Sequence, residues 1–304
     1  MRKSILIGIA IALTAMVAIG CKSSPKETVY DVYVAGSEAH DPFWKTVLWV
    51  NGKSASAPSA DGGLKAVFVS GNDVYVVGYA QQKDTGTWCA TLWKNGKPKT
   101  LSDAPSNAKS VFVSGQDLYI SGYEKDETTG NSHATLWRND EVIKLKSSAK
   151  HSYANAVYVE GRDVYAVGYK MTADAKMFAM LWRNGTPEEI TNGDQWAEAR
   201  SLFVSGNDIF VVGHENQGGK NVAMLWRNGT RTKLSSSDAE DADALSVYVI
   251  DDNVYVVGTE KKGGKDVAML WKKVKDSDTW ISEALTDGSN SAEAASVFVV
   301  KRNK

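Results

Sequence analysis

Apolar and polar positions along this chain fall into short apolar runs separated by turns, and the runs recur. Three landmarks repeat six times each. The first is an apolar triplet ending in a turn: Val67-Phe68-Val69, Val111-Phe112-Val113, Val157-Tyr158-Val159, Leu202-Phe203-Val204, Val247-Tyr248-Val249 and Val297-Phe298-Val299. The second is an aromatic followed three residues later by glycine: Tyr33/Gly36, Tyr75/Gly78, Tyr119/Gly122, Tyr165/Gly168, Phe210/Gly213 and Tyr255/Gly258. The third is a Leu-Trp pair ending at Trp49, Trp93, Trp137, Trp182, Trp226 or Trp271. Successive aromatics of the second landmark lie 42, 44, 46, 45 and 45 residues apart. A period in this range is that of a propeller or a solenoid array.

Runs such as Asp73-Val74-Tyr75-Val76-Val77 are rich in β-branched and aromatic residues, which marks strands. They are apolar at nearly every position, which predicts burial of both faces. Gly71-Asn72-Asp73 turns the first strand into the second. Asn51-Gly52, Asn95-Gly96, Asn184-Gly185 and Asn228-Gly229 follow the tryptophan strand, and Asn-Gly supplies the positive φ angles of a tight hairpin. A weaker fourth strand follows, such as Thr232-Lys233-Leu234 or Val142-Ile143-Lys144-Leu145. Its lysines suit an outer edge that must not pair with other chains. Four short antiparallel strands per unit predict an all-β chain, a six-bladed β-propeller over residues 30–304. The ends give the count. The chain enters on a second strand, Asp31 to Gly36, and leaves on a first strand, Ser296 to Val300. The two partial units make one blade, so the ring is expected to close by pairing of the N- and C-terminal strands.

Residues 1–20 read as a processing signal, with Arg2 and Lys3 as a basic head and Ile5 to Ile19 as the apolar stretch. That stretch is shorter than the roughly 18 residues a spanning helix needs. Ala18-Ile19-Gly20-Cys21 resembles the bacterial lipoprotein signal. The resemblance implies cleavage before Cys21, its acylation with palmitate-type chains, and attachment to the cell envelope, with the outer membrane or cell surface favoured. Residues 21–29 are then the lipidated cysteine and a tether. With 35 basic and 36 acidic residues the chain is near neutral, which argues against a nucleic-acid partner. Of two cysteines, Cys21 is taken by lipid, so the fold does not rest on disulfides despite export. A monomer is expected.

Propeller topology puts the first-to-second and third-to-fourth turns on one face and the longer connections on the other, where a scaffold carries function. Trp44, Trp88, Trp196 and Tyr153 sit in or beside those connections, placed to stack on sugar rings, to anchor a protein, or merely to cover the blade tops. Just before each first strand stand Lys65, Lys109, Asn155, Arg200, Leu245 and Ala295. If that strand is innermost, these six ring the channel mouth, and three of them are cationic. Histidines 40, 133, 151 and 214 lack metal-ligand spacing, and no nucleophile elbow or phosphate loop is present, so no catalytic residue, metal or cofactor is assigned. The repeats resemble β-propeller repeats of the broad kelch- and WD-like kind, and more closely those of bacterial surface lipoproteins. The reading favours a lipid-anchored envelope protein that binds a glycan or a protein through the loop-rich face. Two alternatives stand beside it. One is a lyase or hydrolase of an anionic polysaccharide, with Arg200, Lys65 or Lys109 holding substrate and a loop carboxylate or His214 as base. The other is a scaffold piece of an envelope assembly.

Overall fold

The computed structural model describes residues 33–40, 43–51, 53–55 and 62–299. The signal segment, Cys21 and its tether lie outside these residues, and of Trp44 the backbone alone is described. The described residues form six antiparallel sheets and no helix. Five have four strands in sequential order and span 62–100, 106–144, 151–189, 197–233 and 241–284, here blades 1 to 5. The sixth sheet, blade 6, consists of Tyr33–His40, Phe43–Val50 and Lys53–Ala55. The sheets make up a six-bladed propeller, with the first strands of successive blades in contact.

The expected terminal ladder runs partly outside the described residues. Within them, Tyr33–His40 pairs with Phe43–Val50 alone, while 291–299 is tied to blade 5. Ala292 N–H donates to the Asp266 carbonyl at 2.7 Å and Val297 N–H to Ser246 Oγ at 3.2 Å. Phe298, in the extended tail outside any strand, follows five aromatics that stand one on each first strand of blades 1 to 5. Phe68, Phe112, Tyr158, Phe203, Tyr248 and Phe298 follow one another with ring centres 4.8–5.3 Å apart in five successive pairs.

The tight turns explain the conserved end of each repeat. Asn95, Asn184 and Asn228 have φ near +50° and the glycines after them near +78°, the geometry of a type I′ hairpin. Each asparagine also reaches the neighbouring first-to-second turn. Asn228 Oδ1 accepts from Ile209 N–H at 2.8 Å, while its Nδ2 donates to Asp208 Oδ1 at 2.7 Å. Asn95, Asn139 and Asn184 repeat that pair of bonds with Asp73, Asp117 and Asp163. The basic residue before each asparagine pairs with the same aspartate and lies over the strand-two aromatic, as Arg138 does at 5.6 Å from Tyr119. The Lys/Arg-Asn-Gly signature is thus a staple between two hairpins.

The core lies between blades. Trp93, Trp137, Trp182, Trp226 and Trp271 are all buried, each packed where one sheet meets the next. Four charged residues on the second strands are buried too: Glu124, Lys170, Glu215 and Glu260. Each has an opposite charge beside it, respectively Lys144, Glu189, Arg231 and Lys262. The sign is reversed in blade 3 alone, where lysine faces glutamate. Charge complementarity therefore matters here more than residue identity, as burial of an ion demands.

A candidate binding site at the loop-bearing mouth

The first strand of every four-stranded blade carries one register break, always at the same repeat position. Lys65, Lys109, Asn155, Arg200 and Leu245 are the residues skipped by the ladder. A bulge leaves its extra residue unpaired and bends the strand, which re-aims the side chain. The five positions read from the sequence as ringing the mouth are therefore defined by backbone geometry.

The bulge also explains the glycine of the second landmark. It pushes the carbonyl of the residue two before it towards the second strand. A Cβ on Gly168 would lie 1.9 Å from the Tyr153 carbonyl oxygen. At Gly78, Gly122, Gly213 and Gly258 the equivalent distances are 1.8, 2.0, 1.9 and 2.0 Å. No side chain fits there.

Three groups border the mouth. The first is aromatic. Tyr153 is stacked on Tyr169 (ring centres 4.7 Å, interplanar angle 24°) and takes Tyr123 edge-on at 4.9 Å. Tyr79 meets Trp88 edge-on at 5.6 Å and has the Lys65 ammonium 5.8 Å from its ring centre. Burial raises the Tyr123 phenol above the ordinary tyrosine range, helped by Tyr153 and Tyr79, which places these rings in one neighbourhood. Burial likewise raises Tyr169, assisted by Glu198 and Tyr153.

The second group is charged. Arg200 Nη1 donates to Glu198 Oε1 at 2.8 Å, and its Nε and Nη2 donate to Asp243 Oδ2 at 3.1 and 3.0 Å. Burial works against the guanidinium, but Asp243 and Glu198 outweigh it and keep its pKa above the usual value. Asn155 Nδ2 donates to Glu198 Oε1 and to the Ala199 carbonyl, both at 2.9 Å. His214, 8% exposed, has Nδ1 3.1 Å from Asp243 Oδ1. Those two atoms lack hydrogen-bond geometry. Glu293 stands near Asp243 and Arg200. Burial, then Asp243, raises its carboxyl above the normal range, with Arg200 opposing. The third group is Lys109, whose pKa is lowered first by burial and then by Lys65, with Glu198 opposing.

The expected cationic mouth is corrected by these contacts. Lys65, Lys109 and Arg200 share it with Glu198, Asp243 and Glu293, and both edges of the Arg200 guanidinium are occupied. Arg200 and Asn155 also bridge to the first strand of the following blade, so they latch blades together as well as face the axis.

Trp88 and Trp196 are 43% and 56% exposed, at the start of the third strand of blade 1 and just before the first strand of blade 4. No contact brings Trp196 to the tyrosines; its carbonyl accepts from Asn216 N–H at 2.7 Å. Two of the longer connections, at 214–221 and 259–266, are extended strands closed by the two-residue turns Gly218-Gly219 and Gly263-Gly264. The acidic residues of 238–243 point apart: Asp241 caps Asn221 N–H, Glu240 caps Gly264 N–H, Asp238 faces Lys262 and Asp243 turns to the mouth. Cys89 is fully buried. Glu198 and Glu293 escaped the sequence reading. The available signal was their place in the repeat, two residues before Arg200 and Ala295. Two half-open clefts of about 420 and 460 Å³ lie elsewhere, between blades on the tight-turn face. Their walls include hairpin-staple residues, among them the Asp117–Arg138 and Asp208–Arg227 pairs.

No family model matches the chain, and no curated protein matches it in sequence. Solved structures are similar in fold. A puromycin-hydrolyzing peptidase of Mycobacterium tuberculosis matches at TM-score 0.50 and 10% identity, over 79% of this chain and 43% of that one. The β-propeller domain of the Trilobed protease from Pyrococcus furiosus, described as having an open velcro topology, matches at 0.48 and 11%, over 88% and 96%. The six-bladed, fucose-recognising lectin of Aleuria aurantia matches at 0.45 and 12%, over 84% and 90%. This chain spans less than half the length of the peptidase, and identities this low concern the fold alone.

Proposed function

We propose that this is a lipid-anchored cell-envelope protein that binds a glycan at the loop-bearing mouth of its propeller. The observation that carries the reading is the juxtaposition of the Tyr123–Tyr153–Tyr169 stack with the Asn155–Glu198–Arg200–Asp243 network. Tyrosine presents an apolar face and a polar tip, which suits the C–H face and hydroxyls of a sugar ring. Carboxylates held by fixed donors accept from hydroxyls without having to reorganise first, which lowers the ordering cost of binding. Because Arg200 is already engaged by two carboxylates, the ligand class is neutral and hydroxyl-rich, and the reading makes no use of a substrate carboxylate. The anchor is supported by Ala18-Ile19-Gly20-Cys21 and the basic, apolar head before it. A glycan array probed with the wild-type protein and with Tyr153→Ala tests the proposal. At least tenfold weaker binding, about 1.4 kcal/mol, is expected for the variant. Wild-type protein that binds no glycan, or Tyr153→Ala that binds as well as wild type, refutes it.

A further inference from the structure

We infer that the anchor holds the tight-turn face against the bilayer and presents the tyrosine-lined mouth away from it. This rests on the anchor reading above and adds the direction from which the ligand must come.

The argument is topological. Tyr33–His40 is a second strand, and a second strand starts on the tight-turn face. Its register shows this directly. Tyr33 pairs with Val50, the residue before the Asn51 turn, whereas His40 at the other end pairs with Phe43. The chain from Cys21 therefore joins the propeller on the face of the hairpin staples. That strand stands at one edge of its described sheet, with Phe43–Val50 and then Lys53–Ala55 following on its other side.

Distances make the alternative costly. Residues 22–32 are the chain between Cys21 and Tyr33. Eleven residues span at most about 40 Å when fully extended. A strand of eight or nine residues is about 30 Å tall. To lay the mouth on the membrane, the connection would have to climb that full height. That path takes about three quarters of the reach. With the tight-turn face down, almost none is needed. Charge does not reverse the preference: Lys94, Arg138, Arg183 and Arg227 on that face each pair with an aspartate of their own blade. The ligand at the mouth is accordingly a molecule that approaches from the side opposite the bilayer, such as an extracellular or wall-associated glycan, and not a headgroup of the membrane that holds the protein.

The test uses the full, acylated chain on vesicles carrying a nitroxide-labelled headgroup lipid. A Cys89→Ser background removes the buried thiol. Gln116→Cys places a fluorophore on the tight-turn face of blade 2, and Glu127→Cys places one on its loop face; both positions are exposed. Headgroup quenching at least threefold stronger at position 116 than at 127 is expected. Equal quenching, or stronger quenching at 127, overturns the orientation while leaving the anchor intact. Cys21→Ser separates the two ideas. If it floats with vesicles as wild type does, or if wild type does not float at all, the anchor reading fails and the orientation falls with it.

Discussion

Gly168→Ala tests whether the bulge and the second-strand glycine form one device. The added Cβ would sit 1.9 Å from the Tyr153 carbonyl oxygen, 2.9 Å from its carbonyl carbon and 3.0 Å from Ala154 Cα. Ordinary carbon–oxygen contact begins near 3.4 Å, so the strands must part by about 1.5 Å. The obstacle is backbone on both sides, with no flexible tip to swing away. Overpacking against movable neighbours costs about 1–3 kcal/mol, and this site lies at or beyond the upper end, about 3 kcal/mol or more. For a domain of this size that lowers Tm by about 6–12 °C. Gly206→Ala is the control. It places alanine at φ +61° in open space, so it carries only the left-handed penalty of about 1–2 kcal/mol. Urea and thermal unfolding followed by tryptophan fluorescence measure both. Because Tyr153 and Asn155 flank the displaced carbonyl, Gly168→Ala is also expected to weaken ligand binding, and Gly206→Ala is not. If Gly168→Ala is no less stable than Gly206→Ala, the steric account of the repeat is wrong.

Other expectations are more local. Trp226→Ala empties a buried site between blades and is expected to cost about 3–5 kcal/mol by chemical denaturation. Asn228→Ala removes both arms of one staple and leaves alanine at positive φ, with an expected loss of about 1–2 kcal/mol, whereas Asn228→Gly recovers part of it. Burial, with Glu160 and Tyr248 next, pushes the Tyr158 phenol from its ordinary 10.0 up to about 12. The native state therefore keeps a proton that the unfolded chain releases, and stability falls as pH rises from 10 to about 12. Tyr158→Phe keeps the ring contacts with Phe112 and Phe203 and is expected to flatten that slope in unfolding curves taken across the window.

The fold was legible because each unit repeats its own rules. The apolar runs and Asn-Gly turns give strands, the period gives blades, and the Leu-Trp pairs mark the buried interfaces that the structure contains. Legibility ended where partners are distant in sequence. Arg200 reads as a free cation until Asp243, 43 residues on, is seen against it. Glycines 218 and 219 stand among polar residues and read as loop, yet they close a hairpin whose strands run on to Gln217 and Lys220. The repeat glycine was visible six times, but its cause is a carbonyl on another strand, which no local pattern records. For the site, the bulge positions and Tyr153 were named from sequence. The carboxylates that balance the cations were missed, because a lone Glu198 or Glu293 in a polar segment has no signature of its own.

The bulge has a consequence for how such a molecule can diversify. The residue that each blade turns toward the axis is the one residue its ladder leaves out, so the hydrogen-bond pattern places no demand on its identity. Lysine, asparagine, arginine and leucine already occupy that place in successive blades. Such an arrangement separates two kinds of selection. Glycine, tryptophan and the asparagine turns answer to folding, while the axial positions are free to answer to whatever is being recognised. A family built on this plan can change its taste one blade at a time.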